Sequence, residues 1–321
     1  MKRYISKRLL VAVVVVLVSV IINFFIIRLA PGNPVKLLAG TDNPNPAMIA
    51  ALEEKYGLNQ PLSQQFFLFL GNLLKGDLGY SYISNEPVSK MIMEKIGPTL
   101  ILTLSALFIS VALGIALGIR CGRKPGSRVD KFISNISYIF DSTPSFWLGM
   151  MMILLFASRF KWFPTSGMVN LRNPQHGFGH VKDVLYHLTL PLTTLVLIQF
   201  PYYFRITRTS VIQTLSEDYI LTFRATGMSE KQIFNKYVLR NAIIPTITVV
   251  GMSMGFLLSG SALIETVFAW PGMGRLLLTS ISTRDYQVLT GIYLVLSVSV
   301  AVAMIAVDIL YSFIDPRIQY E

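Results

Sequence analysis

Long uninterrupted blocks of apolar residues recur along the chain and are separated by polar or charged segments. Each block is roughly 20–25 residues long, about what an α-helix needs to cross the hydrocarbon core of a bilayer. Six helical spans are predicted, over residues 9–30, 98–119, 132–156, 187–209, 241–265 and 286–309. The pattern predicts an all-α integral membrane protein with six transmembrane helices.

Composition supports this prediction. Of the 321 residues, 53% are hydrophobic and only 14% are charged, whereas a soluble domain carries about 25% charged residues. The first apolar block is too long for a signal peptide and lacks a cleavage site with small residues, so we expect a retained first span. Cys121 is the only cysteine, which excludes a disulfide framework.

The distribution of basic residues predicts the orientation. Sixteen of the 28 Lys and Arg residues fall in the short segments that share one side with the N-terminus. Cytoplasmic segments carry an excess of Lys and Arg, so we predict that both termini are cytoplasmic. The basic residues are interleaved with the spans and no recognition fold is visible, so the net charge of +11 does not indicate nucleic-acid binding.

The predicted organisation has four parts. Residues 1–30 form a cytoplasmic tail and the first helix, and residues 31–97 form an extracytoplasmic region whose amphipathic stretches are expected to pack on the rest of the protein. Residues 98–309 form a five-helix core with a long cytoplasmic loop at 210–240, and residues 310–321 form a cytoplasmic tail.

The cytoplasmic loop carries signals for two short helices. Ser216 can cap a helix whose first turn holds Glu217 and Asp218, acids that the positive end of the helix dipole favours. Gly227 stands where that helix needs a left-handed residue at its end. The sequence Ser-Glu-Lys-Gln at 229–232 is typical of a capping box, flanked by Met228 and Ile233 in the positions of a hydrophobic staple.

Several apolar residues in this loop require a cover. They are Tyr219, Leu221, Phe223, Ile233, Phe234, Tyr237 and Val238. Either the ends of the protein's own spans cover them or a cytosolic partner does. A rigid pair of helices joined directly to two spans would transmit a partner's motion into the membrane.

The motifs of the chain resemble a known family. Gly227 and Pro245 resemble the cytoplasmic coupling loop of ATP-binding-cassette (ABC) importer permeases, although Leu221, Thr222 and Phe223 replace its Glu-Ala-Ala. The stretches "YILTFRATGM" and "LRNAIIP" are similar to the peptide/nickel branch. So are "RLAPGNPV", "YGLNQPLSQQF", "GDLGYS", "PSFWLG", "ETVFAWPGMGRL" and "DPR" elsewhere in the chain, in the order of the B-type subunit.

The resemblance implies half of a translocation pore with a type I importer fold in a bacterial or archaeal plasma membrane. The implied partners are membrane lipids, a homologous C-type permease, two cytosolic ATPases that bind ATP and Mg, and an external solute-binding protein. The implied ATPase-coupling residues are Glu217, Asp218, Tyr219, Arg224, Ala225, Gly227 and Met228. The solute would be a peptide, a nickel chelate or a glutathione-like molecule, and the chain itself would bind no cofactor.

The source of energy separates this interpretation from its rivals. The chain lacks a G-x-x-x-x-G-K-[ST] phosphate loop, so it is not expected to hydrolyse ATP or to be an enzyme. The alternative is a secondary transporter driven by an ion gradient, a class that usually carries ionisable groups at the bilayer midplane. Asp141 is the candidate here, because it lies about ten residues into the third predicted span.

Two interpretations of Asp141 are open. It is either a buried carboxylate satisfied by Ser142, Thr143 or a neighbouring helix, or a contact in the pathway for a cationic solute or a peptide N-terminus. His176 and His180 have the spacing of metal ligands on a helix, but the glycines between them disfavour a helix, so no metal site is predicted.

Small residues give the last predictions. The GxxxG steps at Gly114/Gly118 and Gly251/Gly255 predict close helix packing. The fifth span continues into a small, weakly polar stripe, which makes it a candidate for lining the pathway. Candidate pathway residues are Asp141, Ser253, Ser259, Gly260 and Glu265, and candidates for docking the binding protein are Trp270, Pro271 and Gly272.

Overall fold

The computed structural model describes residues 2–29, 54, 57 and 59–314. Most of the outer region between 30 and 58, and the "DPR" motif at 315–317, lie outside the described residues. The described part is built of helices, as predicted. They are α1 (Lys2–Leu29), α2 (Leu62–Leu74), α3 (Val88–Gly122), α4 (Arg128–Ser142), α5 (Ser145–Met152), α6 (Phe178–Leu215), α7 (Asp218–Ala225), α8 (Glu230–Ile233), α9 (Leu239–Ala242), α10 (Ile244–Gly255), α11 (Ala262–Val267), α12 (Met273–Ser282) and α13 (Tyr286–Ile314).

Five stretches of the described chain are long and apolar enough to cross a membrane. They are Arg8–Ile26, Val88–Gly122, Phe178–Leu215, Glu230–Gly255 and Tyr286–Ala306. A sixth crossing exists only if α4 and the helix Ser145–Arg159, which joins α5 to the π-helical Ile153–Arg159, count as one span. These two helices meet at an angle of 102°.

The third predicted span, over 132–156, is therefore not one continuous helix. Pro144 cannot donate a backbone hydrogen bond, and it disfavours the helical conformation in the residue before it. Thr143 accordingly has an extended backbone, with ψ 127°, and Pro144 becomes the N-cap of α5. The bend follows from this one dipeptide.

The fifth span also differs from its prediction over 241–265. Its helix ends at Gly255, and the chain continues through a 3-10 turn, Leu257–Ser259, before α11 begins. Gly260 has a positive φ of 64°, which interrupts a right-handed helix. The residues Ser259, Gly260 and Ser261 thus form a break in the helix and do not extend its stripe, which corrects the prediction.

Glycines bring α3 and α6 into close contact, as the Gly114/Gly118 step predicts. A Cβ placed on Gly114 would lie 2.5 Å from Cβ of Tyr203, and one on Gly118 would lie 2.7 Å from Cβ of Thr207. The two backbones can approach this closely only because these side chains are absent. Gly255 similarly faces α13, where Ala303 lies within van der Waals distance of its added Cβ.

The described part of the outer region packs on the spans, as expected. Phe66 and Phe69 of α2 contact the ring of Phe24 in α1, with centroids 5.1 and 5.4 Å apart. The turn before α3 is held by Asp285, whose carboxylate accepts hydrogen bonds from Ser81 Oγ and from the backbone N–H of Tyr82. Since α3 already begins at Val88, the predicted boundary at 97 falls inside a helix.

Candidate functional site

The loop predicted to be cytoplasmic forms two short helices that follow α6 almost without a break. Glu217 is the N-cap of α7, with φ −69° and ψ 143°, and Asp218 is in its first turn. The predicted cap at Ser216 is wrong by one residue, because α6 extends to Leu215. Ser216 instead closes α6 and donates its Oγ–H to the carbonyl of Gln213 at 2.7 Å.

The turn between α7 and α8 has the left-handed residue that was predicted. Gly227 has φ 79°, and its N–H donates to the carbonyl of Arg224 at 3.0 Å. The N–H of Met228 donates to the carbonyl of Phe223 at 3.2 Å, which completes a Schellman motif. Ser229 caps α8 by accepting from the N–H of Gln232 at 3.4 Å, so this half of the capping box is confirmed.

An ion pair also spans the turn. Arg224 donates from Nε and Nη2 to the two carboxylate oxygens of Glu230, at 2.7 and 3.3 Å. This pairing raises the pKa of Arg224 above its ordinary value, so the guanidinium stays charged. Both side chains are exposed, and the pair therefore orients the turn more than it stabilises the fold.

Most of the apolar side chains in the loop pack on the protein's own spans. Ile220, Ile233, Phe234 and Val238 are buried in one cluster that also contains Val211 of α6. Ile233, Phe234 and Val238 are thus covered by the protein's own spans and not by a cytosolic partner. A π-helical segment, Phe234–Val238, then carries the chain from α8 into α9, and it gave no signal in the sequence.

What stays exposed is the outer edge of α7 and its turn. Glu217, Asp218, Arg224, Ala225 and Gly227 are exposed, and Tyr219 and Met228 are half-buried. Leu221 belongs to the same helix and is 61% exposed. The structure thus brings the predicted coupling residues together on α7 and the turn that follows it.

A second site is a cavity of about 300 Å³ where the fifth span breaks. Ser253, Ser259 and Gly260 line it together with Gln199 and Tyr203 of α6. The hydroxyl of Tyr203 donates to Ser253 Oγ at 3.0 Å, while Oε1 of Gln199 is buried without a hydrogen-bond partner. The cavity therefore offers hydroxyl and amide groups to whatever enters it.

Glu265, predicted in the pathway, does not line this cavity. Its side chain is fully buried and its carboxylate accepts hydrogen bonds from Thr99 Oγ1 at 3.0 Å and from the N–H of Arg275 at 2.9 Å. An added Cβ on Gly260 or Gly272 would collide with it. In this structure Glu265 thus holds neighbouring segments together and exposes no surface, and its place in the pathway stays a prediction.

The residues predicted to dock the binding protein are also mostly buried. Trp270 is fully buried, and its Nε1–H donates to the carbonyl of Pro98 at 2.9 Å. Gly272 is buried against Glu265, and only Pro271 is half-buried. Trp270 and Gly272 thus shape this turn from inside and present no side chain to an external protein.

Comparison with known proteins covers nearly the whole chain. Residues 1–103 match the family described as the N-terminal membrane component of binding-protein-dependent transport systems, and residues 114–320 match the family described as their inner membrane component. The chain belongs to this permease family. It is therefore a transmembrane subunit of an ABC importer and a multi-pass protein of the bacterial inner membrane.

Relatives align with the permease from end to end. It is 35% identical over 325 residues to the oligopeptide transport system permease protein AppB of Bacillus subtilis, with all of both chains covered. It is 36% identical to the dipeptide transport system permease protein DppB of Alkalihalophilus pseudofirmus, and 36% identical to the glutathione transport system permease protein GsiC of Salmonella paratyphi A, again over all of each chain.

A solved structure shares the fold of the permease. The MetNI methionine ABC transporter in an inward-facing conformation aligns with a TM-score of 0.55 at 18% identity, covering 71% of the permease and 97% of that chain. Family membership decides the mechanism in favour of an ATP-driven importer over a secondary transporter. The permease is not an enzyme: ATP hydrolysis takes place on partner ATPases, and an external binding protein is its other partner.

Asp141 of the permease has a partner that the sequence did not indicate. It forms an ion pair with Arg205 of α6, with Nη1 and Oδ2 2.8 Å apart, and about two fifths of each side chain is exposed. Asp141 is therefore satisfied by a neighbouring helix, as one interpretation had it, but it is not buried. One turn along α6, Arg208 donates to both oxygens of the buried Asp130.

Two of the three histidines of the permease do not share a helix face. His176 precedes α6 and His180 lies in its first turn, with Gly177 at a positive φ between them. His187 is buried, and its Nδ1 lies 2.9 Å from the carbonyl oxygen of Asp183. No group of three or more potential metal ligands occurs in the described part of the permease.

Proposed function

We propose that this permease imports peptides and that it forms one half of the translocation pathway. The observation that carries the proposal is its end-to-end similarity to permeases named for oligopeptides, dipeptides and glutathione. These three solutes share the amide backbone of a short peptide. The other half of the pathway is a homologous C-type permease, and two cytosolic ATPases supply the energy by binding ATP and Mg.

The exposed edge of α7 is the surface for the ATPase. Leu221 supplies an apolar anchor at its centre, and Glu217, Asp218 and Arg224 surround that anchor with charge. Desolvated apolar anchors with a polar rim are the usual anatomy of a protein interface. This placement requires that both termini lie in the cytoplasm, which the distribution of Lys and Arg supports.

The cavity at the break of the fifth span belongs to the pathway. Among the described residues, its lining contains no carboxylate, ammonium or guanidinium group that would select for the charge of a solute. Its hydroxyls, together with the unpartnered oxygen of Gln199, suit the N–H and C=O groups of a peptide. Side chains of different peptides would be tolerated, and selection among solutes would lie with the binding protein.

Reconstitution tests the proposal. The permease, its C-type partner and the two ATPases are placed in liposomes with the binding protein and a radiolabelled dipeptide or oligopeptide. Uptake is expected only with ATP and Mg, and liposomes that contain the permease alone should take up none. Accumulation by the permease alone on a proton or sodium gradient would overturn the ATP-driven mechanism, and ATP-driven uptake of a solute other than a peptide would overturn the substrate.

A further inference from the structure

A large cavity opens on the inner side of the protein, between the end of α3 and the coupling helices. Its volume is about 880 Å³. Ala116, Leu117, Ile119, Arg120, Arg123 and Lys124 line it from α3 and the turn that follows. Leu215, Arg224, Glu230 and Phe234 close the opposite side. It is larger than the cavity in the proposed pathway, and import of a peptide does not require it.

The charge of this cavity is strongly positive. Glu230 is already paired with Arg224 through two hydrogen bonds, so these two side chains cancel. Arg120, Arg123 and Lys124 form no ion pair with any carboxylate in the described part of the chain. The guanidinium of Arg123 lies over the ring of Phe234, 4.2 Å from its centroid. Three uncompensated cations therefore face one space.

The cavity changes character along α3. Ala116 and Leu117 precede Arg120 by about one turn of α3, and Lys124 lies farther on, just beyond the end of that helix. The membrane end is thus apolar and the cytoplasmic end is basic. An occupant must combine a hydrocarbon part with an anionic group at that level, and a phospholipid of the inner leaflet has this construction.

We propose that this cavity binds the headgroup of an anionic phospholipid, with Arg120, Arg123 and Lys124 around the phosphate and the first acyl carbons against Ala116 and Leu117. Basic pockets on the cytoplasmic side of membrane helices are suited to such headgroups. A free phosphate would leave the apolar end empty, and an acidic protein segment would meet bare hydrocarbon there. The charge and the shape together favour the lipid.

The position of the site connects it with energy coupling. Its far side is formed by Phe234 and by the Arg224–Glu230 pair, which orients the turn between α7 and α8. A bound headgroup would therefore brace the coupling helices against the end of α3. This proposal does not depend on which solute the permease carries.

Lipid retention in the assembled transporter tests the site. The complete complex is purified from nanodiscs of phosphatidylcholine with increasing phosphatidylglycerol, and the retained phosphatidylglycerol is counted by native mass spectrometry. The variant is Arg120→Gln/Lys124→Gln. The matched control, Arg128→Gln/Lys131→Gln, removes the same charge from exposed residues just beyond the turn that do not line the cavity.

The expected results differ between the two variants. A basic residue near the membrane surface contributes about 1 kcal/mol to binding of anionic lipid, so the loss of two is a decrease in apparent affinity of about 30-fold. The control should change by less than about threefold. If the double variant does not assemble, Lys124→Gln alone should give about a fivefold decrease.

Three outcomes would overturn the proposal. Equal losses in variant and control would mean that only overall surface charge matters. Displacement of the lipid by millimolar inorganic phosphate would identify a site for a free anion. Retention of phosphatidylglycerol only in complexes stripped of the ATPases would mean that a partner subunit fills the cavity in the intact transporter.

Discussion

Glu265 links three helices through hydrogen bonds to its side chain. Its carboxylate is fully buried, and no Lys or Arg of the described chain forms an ion pair with it. It is held instead by the hydroxyl of Thr99 and the N–H of Arg275, while Thr99 Oγ1 accepts from the N–H of Met273 at 2.7 Å. One side chain thus joins α3, α11 and α12.

Removal of this carboxylate should destabilise the protein. Glu265→Ala leaves the Thr99 hydroxyl and the Arg275 N–H without their acceptor, at about 1–3 kcal/mol for each buried donor. Glu265→Gln keeps one acceptor oxygen and should cost less. Thermal unfolding of the purified complex measures both, with the exposed Glu86→Ala as the control. An unfolding temperature of Glu265→Ala equal to that of the control would show that the hydrogen bonds contribute nothing.

At the scale of elements, the sequence allowed the turn of the coupling segment to be predicted. Gly227 and Ser229 act on backbone groups one to four residues away, so their effect does not depend on the rest of the fold. The close contact of α3 with α6 was also predictable, because Gly114 and Gly118 have few other reasons to recur on one face of a span.

Other elements could not be derived from the pattern. Hydropathy indicates whether a segment is apolar enough for the membrane but not the direction of its helix axis. It therefore predicts one span over 132–156, where the structure has two helices at an angle of 102°. The helix break at Gly260 and the π-helical Phe234–Val238 likewise lie inside apolar stretches whose hydropathy does not distinguish them from a regular helix. Hydropathy also does not indicate the burial of Trp270, whose hydrogen bond goes to Pro98, far away in the sequence.

The turn at Gly227 offers a test at this scale. A Cβ at Gly227 would meet no atom within 4 Å, so Gly227→Ala costs only the strain of a left-handed residue, about 1–2 kcal/mol. We expect this variant to lose stimulation of ATPase activity by the loaded binding protein, because a residue other than glycine disfavours the positive φ of this turn and lowers the population of the turn that presents α7.

The control for this prediction is another turn with the same geometry. Gly126 also has φ 79° and open space around its Cβ, but it lies between α3 and α4. Gly126→Ala should therefore lower the unfolding temperature by a similar amount and keep the stimulated ATPase activity. Equal stimulation in the two variants would contradict a role for the α7–α8 turn in coupling.

At the scale of the whole molecule, α6 is the longest of the described helices and one of those able to cross the membrane. It contains 38 residues and is about 57 Å long at 1.5 Å per residue. Its middle packs on the glycines of α3, and its inner end runs into α7 with only two residues between them. Movement of the coupling helices would therefore reach the proposed pathway, where Gln199 and Tyr203 of α6 line the cavity.

Two ion pairs tie α4 to this central helix. Arg208 reaches the buried Asp130 with both Nε and Nη2, and Arg205 reaches the exposed Asp141 three turns farther along α4. Asp130 also accepts from the N–H of Gly126, which fixes the turn at the start of α4. The inner pair, Arg208–Asp130, is more buried than the outer pair, Arg205–Asp141. We therefore expect the inner pair to contribute more to holding α4 against α6.

Two variants of the inner pair separate its effect on stability from its effect on the coupling of ATP hydrolysis to uptake. Arg208→Met leaves the Asp130 carboxylate buried without a cation, which typically costs about 3–5 kcal/mol. Asp130→Asn/Arg208→Met strands no charge and should recover most of that loss. We expect uptake per ATP hydrolysed to stay low in both variants, because α4 is no longer held to α6.

The outer pair, Arg205–Asp141, is the control for this prediction. Asp141→Asn/Arg205→Met breaks a half-exposed pair and should change the unfolding free energy by less than about 1 kcal/mol. If Asp130→Asn/Arg208→Met recovers both the unfolding temperature and the uptake per ATP, the inner pair only stabilises the fold. If the unfolding temperature recovers and uptake per ATP does not, the free-energy cost of an unpaired charge cannot be the cause of the low uptake. The connection of α4 to α6 is then what carries motion from the coupling helices to the pathway.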